Sequence, residues 1–283
     1  MATFSLVDES FDPNVSLSYF LSVRLNPDGL TFCTLDPVRN KYVQISNIVI
    51  NSELPIVPQL DKQFAETEIL NLPFKKTFIL IPTRIATLVP SGIFDIDNAK
   101  SILQFCCEIP QNSNVHFNKI RQADVFNIFA INADIETIIK RQFPEPFFFH
   151  QNTPFIDGIL SSTTIYDNEK NILCLNFNFD FFDILVFEKS ALKSCNSFPL
   201  TSENDAVYFT LFTFEQLNIT ESNTTVYISG INESNKKYIN SLSRYISKIK
   251  HIDFPPAFRY SATFKDPRLV GFYDLLSLPP CVL

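Results

Sequence analysis

The sequence predicts an α/β fold that contains the same β-β-β-α-β unit twice. Hydrophobic residues make up 46% of the 283 positions and charged residues 19%, so the chain can bury a sizeable core. The segment LSVRLNPDGLTF (21–32) aligns without a gap on LCLNFNFDFFDI (173–184), and Asp28 then lies on Asp180. Apolar alternation and a turn acid coincide in the two copies, and each copy continues with a helix and a further strand.

The first copy opens with a strand meander between residues 18 and 46. Two apolar runs flank the tetrapeptide Asn26-Pro27-Asp28-Gly29. An Asp-Gly pair between such runs predicts a hairpin with a type I′ turn, because glycine tolerates positive φ. A second turn at Asp36-Pro37 leads to a third strand over 41–45. The three strands are therefore predicted to be neighbours in one sheet.

The rest of the first copy is longer than its counterpart in the second. Apolar residues at nearly helical spacing predict a helix over 59–71, and the run from Lys75 to Val89 predicts two strands separated by a turn near Pro82. The patterns that follow predict two helices, over 96–108 and 133–142. They also predict three strands, over 116–120, 125–131 and 145–151. We expect the region around 90–149 to form a small inserted subdomain.

The second copy contains the clearest helices. Ser202 is expected to cap a helix over 202–217, and Asp205 adds negative charge to its first turn. The other predicted strands are a hairpin over 171–187, a third strand over 191–198 and a later strand over 224–230. A long amphipathic helix is predicted over 234–250. Prolines interrupt the tail after residue 253, which favours irregular structure there.

Charge and composition exclude several classes of function. The net charge is −7, and the Lys75-Lys76 pair and the Lys248-Ile249-Lys250 run are too small to form a surface that follows a phosphate backbone, which disfavours nucleic-acid binding. No segment has the roughly 18 apolar residues of a membrane span, and the amino terminus has no signal-peptide pattern, so we expect a cytoplasmic protein. The six scattered cysteines are then expected to be buried thiols.

The chain lacks the common catalytic and metal-binding motifs. Its three histidines, His116, His150 and His251, are far apart, with no second ligand at metal-binding spacing. No Gly-x-Ser-x-Gly, Walker or His-Glu-x-x-His pattern occurs. The sequence therefore predicts no catalytic residue and no metal site.

Three stretches, TFILIPTRIATLVPSGIFD, FPLTSENDAVYFTLFTFEQL and VYISGINESNKKYINSLSRYI, resemble an uncharacterised bacterial family. The resemblance spans roughly residues 18–249. It implies an actin-like ATPase architecture with two tandem ribonuclease-H-like β-β-β-α-β-α lobes and a cleft between them. The first lobe would cover 1–160, including the insertion, and the second 161–283. The longer first half also resembles pilus-assembly and cell-division members of that superfamily, which insert a small subdomain there.

The resemblance also implies where ATP and Mg²⁺ would bind. Actin-like ATPases close two Asp-x-Gly hairpins over the phosphates, because backbone N–H groups must approach the phosphate oxygens, and they place adenosine against a Gly-Gly pair. Here the first hairpin has its glycine one position early, the second has phenylalanine instead, and the Gly-Gly pair keeps only its first glycine. The candidate remnant cleft comprises Asp28, Gly29, Asp180, Phe182, Gly230 and Asn232.

These departures lead to a functional hypothesis. We expect a non-catalytic binding or scaffold protein that kept the ATPase fold, lost its phosphate loops and holds no cofactor. Its partner is expected to be another protein or further copies of itself, with a filament as one form. The alternative is an atypical nucleotide-binding protein or ATPase that uses the interlobe cleft through Asp28, Asp180, Gly230 and Asn232.

Overall fold

The computed structural model describes residues 3–162, 171–220, 224–230, 235–264 and 266–279. Its strands are β1 (Phe4–Val7), β2 (Phe20–Asn26), β3 (Gly29–Asp36), β4 (Lys41–Val49), β5 (Lys76–Ile81), β6 (Ala86–Pro90), β7 (Ser113–Ile120), β8 (Val125–Asn132), β9 (Phe147–His150), β10 (Asn171–Phe177), β11 (Phe181–Glu188), β12 (Ala191–Pro199), β13 (Thr224–Ser229), β14 (Ile249–His251) and β15 (Arg259–Tyr260). Its helices are α1 (Ile56–Glu66), α2 (Ala99–Cys106), α3 (Ala133–Gln142), α4 (Asn152–Ser161), α5 (Asp205–Gln216), α6 (Lys236–Leu242) and α7 (Tyr273–Leu276).

The first sheet contains the predicted meander. Its order is β1-β4-β3-β2-β5-β9, with β15 pairing parallel to β4. The hairpin turn is not of type I′, because neither Pro27 nor Asp28 has the positive φ that this turn requires. The proline ring fixes φ of Pro27 near −65°, so Pro27 prevents the type I′ turn that the Asp-Gly pair predicts.

Both faces of the first sheet are covered, which explains its nearly continuous apolar strands. Side chains alternate along β9, so Phe148 packs with α1 and α3 on one face and Phe149 packs on the other. The second face is covered by the carboxy-terminal tail, through residues such as Phe264 and Leu275. The tail therefore completes the core of the first sheet.

The second sheet repeats this arrangement. Its order is β12-β11-β10-β13-β14, and α5 and α6 pack together on one of its faces. The predicted helix over 234–250 is shorter than expected: α6 ends at Leu242, and residues 249–251 form β14. Ile249 pairs with Val226 in the parallel ladder, so sheet formation overrides the helical pattern there.

Two helices cross between the sheets. Helix α4, which the sequence analysis did not predict, follows β9 and packs on the second sheet. Helix α7 follows the second sheet and packs on the first. The two helices meet where Phe155 and Tyr273 lie edge to face, with ring centroids 5.5 Å apart. Each half of the chain thus ends in a helix that supports the other half.

A third sheet, of order β6-β8-β7, lies between β5 and α3 in the chain. It packs against α2 around a separate small core that includes Val89, Leu103 and Ile128. Cys33 and Cys174 are buried as expected, but Cys106 on α2 is exposed, because it lies away from this core. Among the described residues, no helix combines the length and apolar character needed to cross a membrane.

We expect Gly158→Ala to destabilise the protein by about 1–2 kcal/mol, although alanine is the better helix former. A Cβ at Gly158 on α4 would lie 2.7 Å from Ser277 Oγ and 3.0 Å from the Tyr273 ring, so α4 and α7 would have to separate. Urea unfolding measures the effect. Gly92→Ala is the matched control, because a Cβ there meets no atom within 4 Å. Equal effects of the two changes would contradict the close packing of these helices.

Candidate functional site

A cleft of about 230 Å³ lies between the two sheets, at the carboxyl ends of β2, β10 and β13. Ligands of open α/β sheets commonly bind at this edge of the strands. The cleft is lined by Arg24, Asn26, Asp28, Phe177, Asn178, Phe179, Gly230, Asn235, Lys237, Tyr238, Gly271 and Phe272. Among the candidate residues, Asp28 of the first copy and Gly230 of the second both line this cleft.

Strand alternation brings polar side chains to this edge. On β2, Leu21 and Val23 point into the core shared with α1 and α3, so Arg24 points to the opposite face. On β10, Leu175 and Phe177 point towards α5 and α6, so Asn178 beyond the strand end lies on the opposite side. Polar groups of the two copies therefore face each other across the junction between the lobes.

Arg24 joins three parts of the chain at the base of the cleft. Its Nη2 donates to Asn178 Oδ1 at 2.8 Å, and its Nη1 lies 3.4 Å from Asp274 Oδ1 on α7. The Arg24 and Asp274 side chains are only 3% and 1% exposed. Burial raises the pKa of the Asp274 carboxyl above its usual value, and the Arg24 charge opposes that rise. The Arg24 side chain therefore links the first sheet to the second copy through Asn178 and to the crossing helix through Asp274.

Asp183 on β11 is the second buried acid of the junction. It accepts hydrogen bonds from Asn178 Nδ2 at 3.0 Å, from Gln151 Nε2 at 3.2 Å and from the Ser197 hydroxyl. Burial raises the pKa of this carboxyl to about 6, although the Ser197 and Gln151 hydrogen bonds favour its charged form. Asn178 thus bridges Arg24 and Asp183, and the two buried groups belong to one network.

The network continues into the loop after β5. Gln151 Nε2 donates to the Thr83 carbonyl oxygen at 3.0 Å, and its Oε1 accepts from Thr83 N at 3.1 Å. His150 Nε2 lies 2.9 Å from the same oxygen, and its Nδ1 lies 3.2 Å from Asn152 N and 3.0 Å from Asn127 Nδ2. Burial lowers the pKa of His150 to about 3, so the ring is neutral and serves as a structural hydrogen-bonding group.

The two candidate glycines have structural reasons to be glycine. A Cβ at Gly29 would overlap the backbone carbonyl oxygen of Ile48 on the neighbouring strand. Gly230 has φ of +77°, and a Cβ there would overlap the backbone of Phe177. In both cases the position that a Cβ would occupy faces protein backbone, although Gly230 also lines the cleft.

The remaining candidates separate in the structure. Asp28 lines the cleft, whereas Asp180 is exposed at its turn and does not. Phe182 is fully buried among Phe177, Phe198 and Phe209 beneath α5, so its ring does not lie in the cleft. Asn232 lies outside the described residues.

The sequence analysis missed the groups that form the junction. Arg24 occupies an inward position of a largely apolar strand and Asn178 follows the end of another, and a buried arginine at such a position was an available signal. The sequence analysis gave Asp183 no role. Gln151 and Asp274 gave no signal, because their partners lie far away in the sequence.

These residues do not fit a magnesium–triphosphate group. Asp28 is the one carboxylate among the described residues that line the cleft, so a Mg²⁺ ion there would depend on nucleotide phosphates and water for most of its ligands. Asp183 is enclosed by three hydrogen-bond donors, and the cleft volume is below the roughly 300–1,000 Å³ of typical small-molecule pockets.

A family described as "Protein of unknown function (DUF3822)" matches residues 8–249, which include both copies of the repeated unit. The chain belongs to this family. No curated protein matches the sequence. The family assignment agrees with the resemblance seen in the sequence and identifies no activity.

Two solved structures are similar to the chain over most of its length. One is a Bacteroides thetaiotaomicron VPI-5482 protein with an actin-like ATPase fold and unknown function; it is 24% identical, with a TM-score of 0.78 over 84% of this chain and 92% of that one. The other is a PilM-PilN type IV pilus biogenesis complex, 9% identical, with a TM-score of 0.57 over 91% of this chain and 96% of that one. The DUF3822 chain therefore has the actin-like ATPase fold, as predicted.

We expect Arg24→Ala to destabilise this DUF3822 protein by about 3–5 kcal/mol, because Asp274 would remain buried without its cation. Urea unfolding measures the change. Arg39→Ala is the matched control, since Arg39 is 60% exposed in its pair with Asp36 and should contribute less than about 1 kcal/mol. A loss for Arg24→Ala as small as that of the control would show that the junction does not hold the lobes.

We expect the unfolding free energy of the Asp183→Asn variant, measured relative to that of the parent, to be higher at pH 7.5 than at pH 4. The folded pKa of about 6 exceeds the unfolded value of 3.8, so the stability that protonated Asp183 contributes is full below pH 3.8 and is lost as the pH rises through 6. Asparagine resembles the protonated acid and does not titrate. The difference in unfolding free energy between variant and parent should therefore grow by roughly 2–3 kcal/mol over this range.

Urea unfolding at the two pH values measures this difference. Asp180→Asn is the matched control, because it removes the same charge from an exposed turn residue. A difference for Asp183→Asn that stays constant with pH would show that the buried carboxyl does not hold a proton in the folded state.

Proposed function

We propose that the protein is a non-catalytic binding or scaffold protein on an actin-like ATPase fold without intact phosphate loops. The observation that carries this proposal is the engagement of Arg24, the buried cation at the base of the cleft, by Asn178 and Asp274. An anion that recruited Arg24 would leave the Asp274 carboxylate buried and unpaired, which costs several kcal/mol. The junction therefore holds the lobes together, and a ligand that took the two Nη groups of Arg24 would have to break it.

The two hairpin positions support the same proposal. Phosphate loops present backbone N–H groups to their ligand, which requires glycine where the chain approaches it. Gly29 uses its missing side chain to approach β4 instead. In the second hairpin, Phe182 anchors the turn in the core beneath α5. Each turn serves the packing of its own sheet.

Exposed apolar side chains favour a protein as the partner. Tyr208 and Phe212 on α5 stack against each other and are 61% and 40% exposed, and contiguous apolar groups at the surface commonly mark contact sites. A protein of similar fold has been solved as a PilM-PilN complex, so the architecture is compatible with a binding role. A cytoplasmic location stays a prediction from the sequence.

A nucleotide-binding role is the second candidate. Lys237 lines the cleft beside Arg24, and Asn26 Oδ1 has no hydrogen-bond partner among the described residues. A phosphorylated ligand could approach Lys237, and a ligand N–H or O–H group could donate to Asn26. This candidate requires the cleft to widen, because its present volume is about 230 Å³.

Calorimetric titration of the full chain with ATP and Mg²⁺ distinguishes the two candidates. We expect no heat of binding at millimolar nucleotide, because Arg24 is engaged and the cleft is small. A thermal-shift scan should likewise show no rise in melting temperature, whereas a ligand at 100 times its Kd would stabilise the protein by about 2.7 kcal/mol. Micromolar binding that Asp28→Ala weakens would overturn the proposal. Asp180→Ala is the matched control, because Asp180 is a turn acid that does not line the cleft.

A further inference from the structure

Helix α5 has apolar side chains on both of its faces. Ala206, Val207 and Phe214 pack against the second sheet. On the outer face, Tyr208 and Phe212 stack with ring centroids 6.1 Å apart, and they are 61% and 40% exposed. A surface helix normally has a polar outer face, and a helix that is apolar all round is normally buried. The outer face of α5 therefore has the composition of a covered surface.

The segment of the chain that contains α5 carries charges of one sign. Between residues 194 and 235 the chain contains five acidic residues and no lysine or arginine. Glu203 precedes α5, and Glu215 is exposed in its last turn. The outer face of α5 together with Glu203 and Glu215 forms what we call the acidic stripe.

The neighbouring helix has the opposite charge. Residues 236–250 contain five lysines and arginines and no acid. Arg244 is exposed, and the Tyr245 ring beside it is 56% exposed. The outer surface of α6 and the turn after it form a basic stripe. This stripe is complementary in charge to the acidic stripe and also carries an aromatic side chain.

The two stripes lie side by side on one face of the molecule. Strands β12, β10, β13 and β14 all run in the same direction, since β11 is antiparallel to both β12 and β10. Helices α5 and α6 connect successive strands of this set and pack on the same face of the sheet, so they run parallel to each other. Lys237 Nζ lies 3.7 Å from Glu203 Oε1, which places the two helix starts together.

We propose that this face binds a second copy of the chain. A two-fold axis parallel to the helices and between them would place α5 of each copy on α6 of the other. Acidic stripe then meets basic stripe twice, and Glu215 lies near Arg244 of the partner. An axis perpendicular to the helices would oppose acid to acid. The charge pattern therefore selects one symmetric arrangement, an isologous dimer.

The size of the stripes predicts a weak dimer. The 12 residues of α5 span about 18 Å, and two helices packed side by side are about 20 Å wide. Each copy would bury roughly 350–400 Å², about half of the ~800 Å² per partner in a standard interface. The dimer should therefore form at micromolar or higher concentration and dissociate as salt screens the charges.

Sedimentation velocity of the full chain between about 5 and 500 μM tests the proposal. We expect a monomer–dimer equilibrium at low salt that shifts to monomer at 0.5 M salt. Glu215→Lys and Arg244→Glu should each raise the dimer Kd at least tenfold. An equimolar mixture of the two variants should dimerise again, because each then offers the other opposite charges at both contacts. Glu53→Lys is the matched control, since Glu53 is exposed on the first lobe.

Three results would overturn the proposal. The parent chain could remain monomeric throughout, which would show that this face does not bind a second copy. The mixture of variants could fail to associate, which would show that these charges do not meet. Growth beyond two copies would indicate a head-to-tail contact instead. The dimer rests on the proposed binding role, but none of the substituted residues lines the cleft, so its failure is distinguishable from a positive nucleotide titration, which would overturn that role.

Discussion

The buried contact of Arg24 with Asp274 and Asn178 is the interaction on which the arrangement of the two lobes depends. Each partner comes from a different part of the chain: the second strand, the last helix and the second hairpin. A charge at 3% exposure persists only when it is paired, because an isolated buried ion is far more costly than an isolated surface ion. The pair therefore fixes where α7 lies, and α7 in turn covers the first sheet.

The duplication of the chain is visible in the sequence, but the two copies have come to differ where they meet. Position 24 in the first copy is arginine and the aligned position 176 is asparagine; likewise Thr31 aligns with Asp183. Opposite sides of the junction thus supply a cation and an acid, and Asn178 contacts both. Identical copies would have placed like groups against each other. The divergence explains why a cation and an acid, and not two like groups, meet through Asn178 at the junction.

Glycine shows the limit of motif comparison in this protein. Gly29 and Gly230 fall near positions where actin-like ATPases approach phosphate or adenosine, and each could have been a remnant of that role. In the structure both are required by neighbouring backbone, from Ile48 and Phe177. A glycine in a hairpin or at a strand end meets the same steric demand whether the close neighbour is a ligand or a strand. Sequence alone does not distinguish the two.

The sequence by itself determined the repeated unit, the order of most strands and helices and the membership of an actin-like fold, because local alternation and helical spacing encode these features. It did not determine α4, the end of α6 or the position of the tail, since each depends on packing between distant segments. Only the tertiary structure decided that Phe182 lies in the core and that Arg24, Asn178, Gln151, Asp183 and Asp274 meet. The physical reason is that hydrogen bonds and ion pairs between lobes join residues as far as 250 positions apart, which leave no periodic signal in the chain.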